Sequence, residues 1–195
     1  MNKIYKINNV AKIRSGMVVA KTTNRNEEKL TNTFVRLLVT SDFDDDGNLH
    51  KEIQPNAIYK PVFEKNFLKA GEILFNAKGR RFFAMEFREE FPHCIAGSTF
   101  LILTLTSNEV LPHYLLWYLN HEETLKVFNA KMYTQTLPSV SIKELADLEI
   151  AIPDLETQNN IVNLDQLKNK KLKIRKQLID LENQYINTLT YKKIK

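Results

Sequence analysis

Cysteine is nearly absent from these 195 residues: Cys94 stands alone. That excludes an internal disulfide and any zinc cluster built from thiolates. Five glycines and six prolines are too few for a low-complexity chain, and 43% hydrophobic with 26% charged residues is enough for an ordered core. No run of eighteen apolar residues occurs, and the opening Met1-Asn2-Lys3-Ile4-Tyr5-Lys6 lacks the apolar centre of a secretion signal. The expectation is a cytoplasmic protein with no membrane partner.

The motifs of several chemistries are missing too. No Pro-Pro pair exists, so the Asp/Asn-Pro-Pro-aromatic tetrapeptide of amino-methyltransferases is not present. Gly71 and Gly79 stand eight apart without a partner at the spacing of a nucleotide-binding loop. His50, His93, His113 and His121 form no ligand spacing, and no metal is expected. Pro153-Asp154-Leu155-Glu156-Thr157-Gln158 superficially resembles a metal-dependent nuclease motif, but it lacks the lysine and opens a helix. Asp42, Asp44, Asp46 and Gly47 match positions 1, 3, 5 and 6 of a calcium loop, yet position 12 is Ile53 where a bidentate glutamate is required. A solvated hairpin turn at Asp46-Gly47 is the expectation there. Cys94, in Phe91-Pro92-His93-Cys94-Ile95, reads as a small buried hydrophobe.

What the chain does have is two textures meeting near Pro153. Upstream, short β-prone segments alternate with turn signals: Phe34 to Val39, Glu72 to Phe75, Arg81 to Met85, Thr99 to Thr106 and Leu148 to Ile152. Pro112 opens a helix expected to run on to about Ala130, with Tyr114, Trp117, Tyr118, Leu125 and Phe128 on one apolar face. A shorter helix is expected from Ser141, whose hydroxyl and Glu144 form a capping box. Downstream, residues 154 to about 188 contain no glycine or proline and read as one long helix. A heptad places Leu164, Lys171, Leu178 and Tyr185 at one seam position and Leu167, Ile174, Leu181 and Thr188 at the other. Leu172, Ile179 and Ile186 widen the stripe. Lys171 in this seam either sets a register or snorkels outward.

Charge follows the same division. The net charge is +5, and residues 151–195 carry nine Lys/Arg against five Asp/Glu, leaving nineteen against eighteen upstream. A helix of roughly 50 Å cannot bury its stripe against a body of this size along its whole length, so it needs a partner helix. The fold class is therefore α+β. A mixed, mainly antiparallel β-rich domain with flanking helices is expected over residues 1–152, and a long coiled-coil helix over 153–195.

Four stretches resemble the DNA specificity subunits of type I restriction–modification systems. They are Val10 to Gly16, Leu68 to Gly79 (with Glu72 where the family usually has aspartate), Leu111 to Leu119, and Gln135 to Ser141 leading into Leu148 to Val162. The last contains the string Pro-x-Leu-Glu-x-Gln-x-x-Ile-Val. Each is weak alone; their order and spacing across nearly the whole chain give the resemblance its weight. Full-length members hold two recognition domains joined by two antiparallel helices. One domain and one helix imply a half-subunit homodimer pairing its tails antiparallel through Leu164, Leu167, Lys171, Ile174, Leu178, Leu181 and Tyr185. The implied target is a two-part palindromic site in double-stranded DNA. The implied partners are a modification methyltransferase subunit, which binds S-adenosylmethionine, and a motor–nuclease subunit. The chain itself is expected to need no cofactor and to catalyse nothing.

Within that reading three loops are candidates for DNA contact. Lys78, Arg80 and Arg81 flank Gly79, where the backbone can approach DNA and arginines can grip phosphate or guanine; the alternative is a solvated hairpin tip. Lys131, Tyr133, Thr134 and Gln135 form a second polar cluster, with Gln135 suited to adenine and Lys131 to phosphate; the alternative is a plain connector. Lys21, Thr22, Thr23, Asn24 and Arg25 form a third. Phe75, Phe82, Phe83 and Trp117 read as core, and the basic tail as a surface for the modification subunit or for solvent. Two other classes stay open: a coiled-coil regulatory or interaction protein, and a homodimeric repressor that recruits no methyltransferase.

Overall fold

The computed structural model describes residues 3–19, 34–44, 47, 49, 55–88 and 93–193. The candidate loop Lys21, Thr22, Thr23, Asn24 and Arg25 lies outside these, as do Asp45, Asp46 and Asn48 of the acidic turn.

The centre is a four-stranded antiparallel sheet in the order β2 (Ala11–Ser15), β8 (Phe100–Leu105), β5 (Ile73–Asn76), β6 (Phe83–Glu86). Its side chains alternate between two cores, as a strand's period of two requires. Ile73, Phe75, Leu101 and Leu103 face one core, while Leu74, Phe100 and Ile102 face the other. Because both faces are covered, β5 reads as a continuous buried run rather than an alternating one.

On the first face lie α1 (Ile7–Val10), α2 (Pro112–Asn120), α3 (Glu122–Asn129), α4 (Ile142–Ala146) and the start of α5 (Leu155–Lys192). On the second lies a three-stranded sheet: β4 (Ala57–Ile58) and β3 (Phe34–Leu38) are antiparallel, and β3 and β7 (Cys94–Ala96) are parallel. The mixed, mainly antiparallel architecture thus matches expectation, with β3 and β7 as a parallel pair. Cys94 is fully buried there, and desolvation pushes its thiol up to about 11. A two-stranded ribbon of β1 (Lys3–Lys6) and β9 (Glu149–Ile152) closes the body by joining its two ends.

Close backbone approach explains one glycine. A Cβ on Gly16 would sit 2.1 Å from the Gly97 carbonyl oxygen, where the end of β2 meets the turn between β7 and β8.

One expectation is corrected. The helix from Pro112 does not run unbroken to Ala130: His121 takes an extended conformation (φ −64°, ψ 139°) between α2 and α3. Its imidazole accepts from the Glu123 amide, so it caps a fresh helix. The preceding Asn120 spends its side chain on the sheet, donating to the Ala84 carbonyl (2.8 Å) and accepting from the Ala84 amide (2.7 Å). The apolar face survives the break, since Tyr114 and Phe128 are buried and Trp117, Tyr118 and Leu125 pack on the same core. At the acidic turn the described residues agree with the expected hairpin turn, with Phe43 and Leu49 in an antiparallel bridge across it. Gly47 takes a φ of 77° and donates to the Asp44 carbonyl.

The helix α5 runs 38 residues, about 57 Å at 1.5 Å per residue. Asp154 caps it by accepting from the Thr157 amide at 2.8 Å, and that bond holds its carboxyl below the usual range. Gln158, fully buried, donates to the Glu109 and Pro153 carbonyls and accepts from the Leu111 amide. Beyond Val162 the helix leaves the body, and its large apolar residues from Leu164 to Tyr191 are 43% to 67% exposed. No helix among the described residues is long and apolar enough to cross a membrane.

Candidate nucleic-acid interface

Two of the three candidate loops meet. The amide of Gly79 donates to the Pro138 carbonyl at 3.0 Å, the amide of Val140 donates to the Ala77 carbonyl at 2.8 Å, and Lys78 forms an antiparallel bridge with Ser139. The loop after β5 and the segment before α4 are therefore one paired surface, although some sixty residues separate them in sequence.

Each loop is shaped by buried groups. Asn76, fully buried at the end of β5, donates to the Lys78 and Arg81 carbonyls and accepts from the Thr40 hydroxyl. That bends the chain between Lys78 and Arg81, where Gly79 takes a φ of 103°. Beneath, Glu72 is buried and receives both hydrogen bonds of Arg14 (3.0 and 3.1 Å), the Thr104 hydroxyl and the Lys69 amide. Glu72 thereby links β2, through Arg14, with β8, through Thr104.

The candidate residues fall into two kinds. Lys78, Arg80, Tyr133, Thr134 and Gln135 are exposed, with Tyr133 at 91%. Gly79, Arg81 and Lys131 serve the framework. The Arg81 guanidinium lies over the Phe83 ring, 4.6 Å from its centre, and donates to the Asp44 carbonyl at 2.5 Å. It thereby ties the acidic turn to the loop. Lys131 pairs with Glu144 and donates to the Ser139 carbonyl at 2.8 Å. Lys131 and the Ser141 amide together hold the Glu144 carboxyl down to about 2.

Sequence reasoning passed over Asn76 and Leu137. Asn76 could have been found as a polar residue closing the run Ile73-Leu74-Phe75, and Leu137 is 83% exposed beside Tyr133's turn. Phe75, Phe82 and Phe83 are buried and Trp117 partly so, as expected of core residues. Among the described residues no three His, Cys, Asp or Glu gather as a metal site.

What results is a β-rich head with a basic, hydroxyl- and amide-bearing surface, mounted on the end of a long bare helix. The fold is that of the specificity subunits of type I restriction–modification systems. It covers 87% of this chain and 38% of the HsdS subunit from Thermoanaerobacter tengcongensis, with a TM-score of 0.57 and 18% identity. For the S subunit from M. genitalium the figures are 88%, 40%, 0.51 and 15%. In sequence the chain is similar to the specificity subunit of the type I restriction enzyme HindI of Haemophilus influenzae, at 27% identity over 136 residues. That match takes in 67% of this chain but 29% of the relative, so the chain spans less than a third of it. No family model matches the chain.

Proposed function

We propose that this chain is a single-domain DNA specificity subunit: it catalyses nothing itself and directs a methyltransferase subunit to a target sequence. The observation that carries the reading is the backbone pairing of Ala77–Gly79 with Pro138–Val140. It fuses two loops with exposed cationic, amide and hydroxyl groups into one surface, on a fold shared with known specificity subunits. Lys78 and Arg80 suit phosphate or guanine, while Thr134 and Gln135 suit base edges. Arg81, Gly79 and Lys131 position them.

The exposed stripe of α5 supports the second half of the proposal. Two copies pair through their helices, holding a reading head at each end and matching a two-part palindromic site. Residues 1–152 act as the recognition unit, and residues from 153 begin the spacer. A motor–nuclease subunit, where present, would supply cleavage.

Co-expression with the methyltransferase subunit, followed by mapping of methylated bases, tests this. The expected product is a gapped palindrome, lost when Arg80 is replaced by alanine while the dimer persists. A continuous or asymmetric motif, or no methyltransferase bound at all, overturns it.

A further inference from the structure

We infer that Leu137 is a specificity-determining residue, whose side chain packs against the 5-methyl group of a thymine in the major groove of the target duplex. This rests on the DNA-specificity reading above and adds to it a base, a groove and the side chain that selects it.

Among the described residues, three large apolar side chains stand more exposed than any other: Tyr133 at 91%, Val18 at 90% and Leu137 at 83%, against 67% for the next. Single exposed apolar residues are ordinary on a protein surface, but these three are not scattered. The Met17 amide donates to the Ala96 carbonyl and the Gly16 amide to the Phe100 carbonyl, while the Ala77 amide donates to the Thr99 carbonyl. Val18 and the loop at Gly79 therefore flank the same turn between β7 and β8. Ser139, paired with Lys78, accepts at its carbonyl from Lys131, two residues before Tyr133. All three apolar residues thus border one end of the central sheet, which also presents Lys78, Arg80, Thr134 and Gln135. Apolar groups set among exposed cations and amides suit a surface with phosphates at its rim and methyl groups within. The major groove of duplex DNA is such a surface, and thymine is the base that shows a methyl group there.

Leu137 is the best placed of the three because its backbone is held. It precedes Pro138, whose ring restricts the residue before it to extended angles. Pro138 is buried and its carbonyl accepts from the Gly79 amide; Val140, also buried, donates to the Ala77 carbonyl. Burial alternates along this segment, so Leu137 and Ser139 lie on the exposed face of the ribbon while Pro138 and Val140 anchor the other. A two-stranded ribbon fits the major groove. Arg80 follows Gly79 and Leu137 precedes Pro138, so both adjoin the bonded pair Gly79–Pro138. A group suited to guanine and a group suited to a methyl thus leave the ribbon side by side. With its backbone held, Leu137 has little freedom to lose on binding.

Uracil substitution tests this, because uracil is thymine without the methyl group. The full chain, in complex with the methyltransferase subunit, is titrated with duplexes carrying the site found by methylation mapping. Each thymine, on either strand, is replaced in turn by uracil. At one thymine of each half-site the wild type should lose affinity about fourfold, the value for burying one methyl group. Leu137→Ala should bind the thymine duplex more weakly and no longer distinguish the two bases at that position. The ratio of the two affinities within one variant does not depend on how much of it is folded. A site bound equally well with uracil at every position overturns the inference and leaves the DNA reading standing. So does a Leu137→Ala variant that still discriminates against uracil. A complex without methyltransferase, or without any mapped motif, overturns both.

Discussion

The Lys131–Glu144 pair ties the turn after α3 to the start of α4. The carboxylate takes a hydrogen bond from Lys131 and another from the Ser141 amide, and its folded-state value falls to about 2. A carboxyl whose value drops on folding adds stability that is fully present above its unfolded value, near 4.3. That stability disappears as pH falls through the folded value. Denaturant unfolding of the wild type and of Glu144→Gln should therefore differ at pH 6 and converge between about pH 4.5 and 2. A gap that stays constant across that range contradicts the assignment. Residue types single out the two loops but not which of their side chains stay exposed. Arg81 and Arg80 are neighbours of identical chemistry. Only the fold places one over Phe83 and against the Asp44 carbonyl and leaves the other exposed.

At the scale of elements, the string that opens α5 is a structural joint. Asp154 caps the helix, and Gln158 satisfies three backbone groups of the segments that the helix buries, at Glu109, Leu111 and Pro153. Replacing Gln158 by alanine strands those groups, and urea unfolding should show a loss of about 2–4 kcal/mol with an unchanged denaturant slope. A loss under about 0.5 kcal/mol would show that the joint does not depend on this side chain. The elements legible in the sequence were those with strong local signals: the Ser141 capping box, the Pro112 helix start, the apolar strands β5 and β8, and α5. The elements that were missed have little local signal. β4 is two residues long, β7 is three, and β1 and β2 are half-exposed segments stabilised by distant partners. The break at His121 was hidden for the same reason, since Asn120 is recruited by Ala84 on a strand far away in sequence.

At the scale of the molecule, the proposed pairing of two copies would double whatever one copy does. If each head places Arg80 on a phosphate, Arg80→Ala removes two contacts per dimer. The slope of log affinity against log salt should then flatten by about 1.8, twice the value for one phosphate on duplex DNA. A flattening near 0.9 would mean that one head engages at a time, and none would remove Arg80 from the interface. The measurement needs the site obtained from methylation mapping, so it follows that experiment.

The sequence by itself determined the class of fold, the start of the long helix after Pro153 and the apolar stripe along that helix. These depend on periodicity and capping, which are local properties of the chain. Tertiary structure alone decided that the loop at Gly79 and the loop at Gln135 form one surface, and which of their cations remain exposed. Those outcomes depend on hydrogen bonds between segments some sixty residues apart, and on buried side chains such as Asn76 whose partners exist only once the sheet has formed.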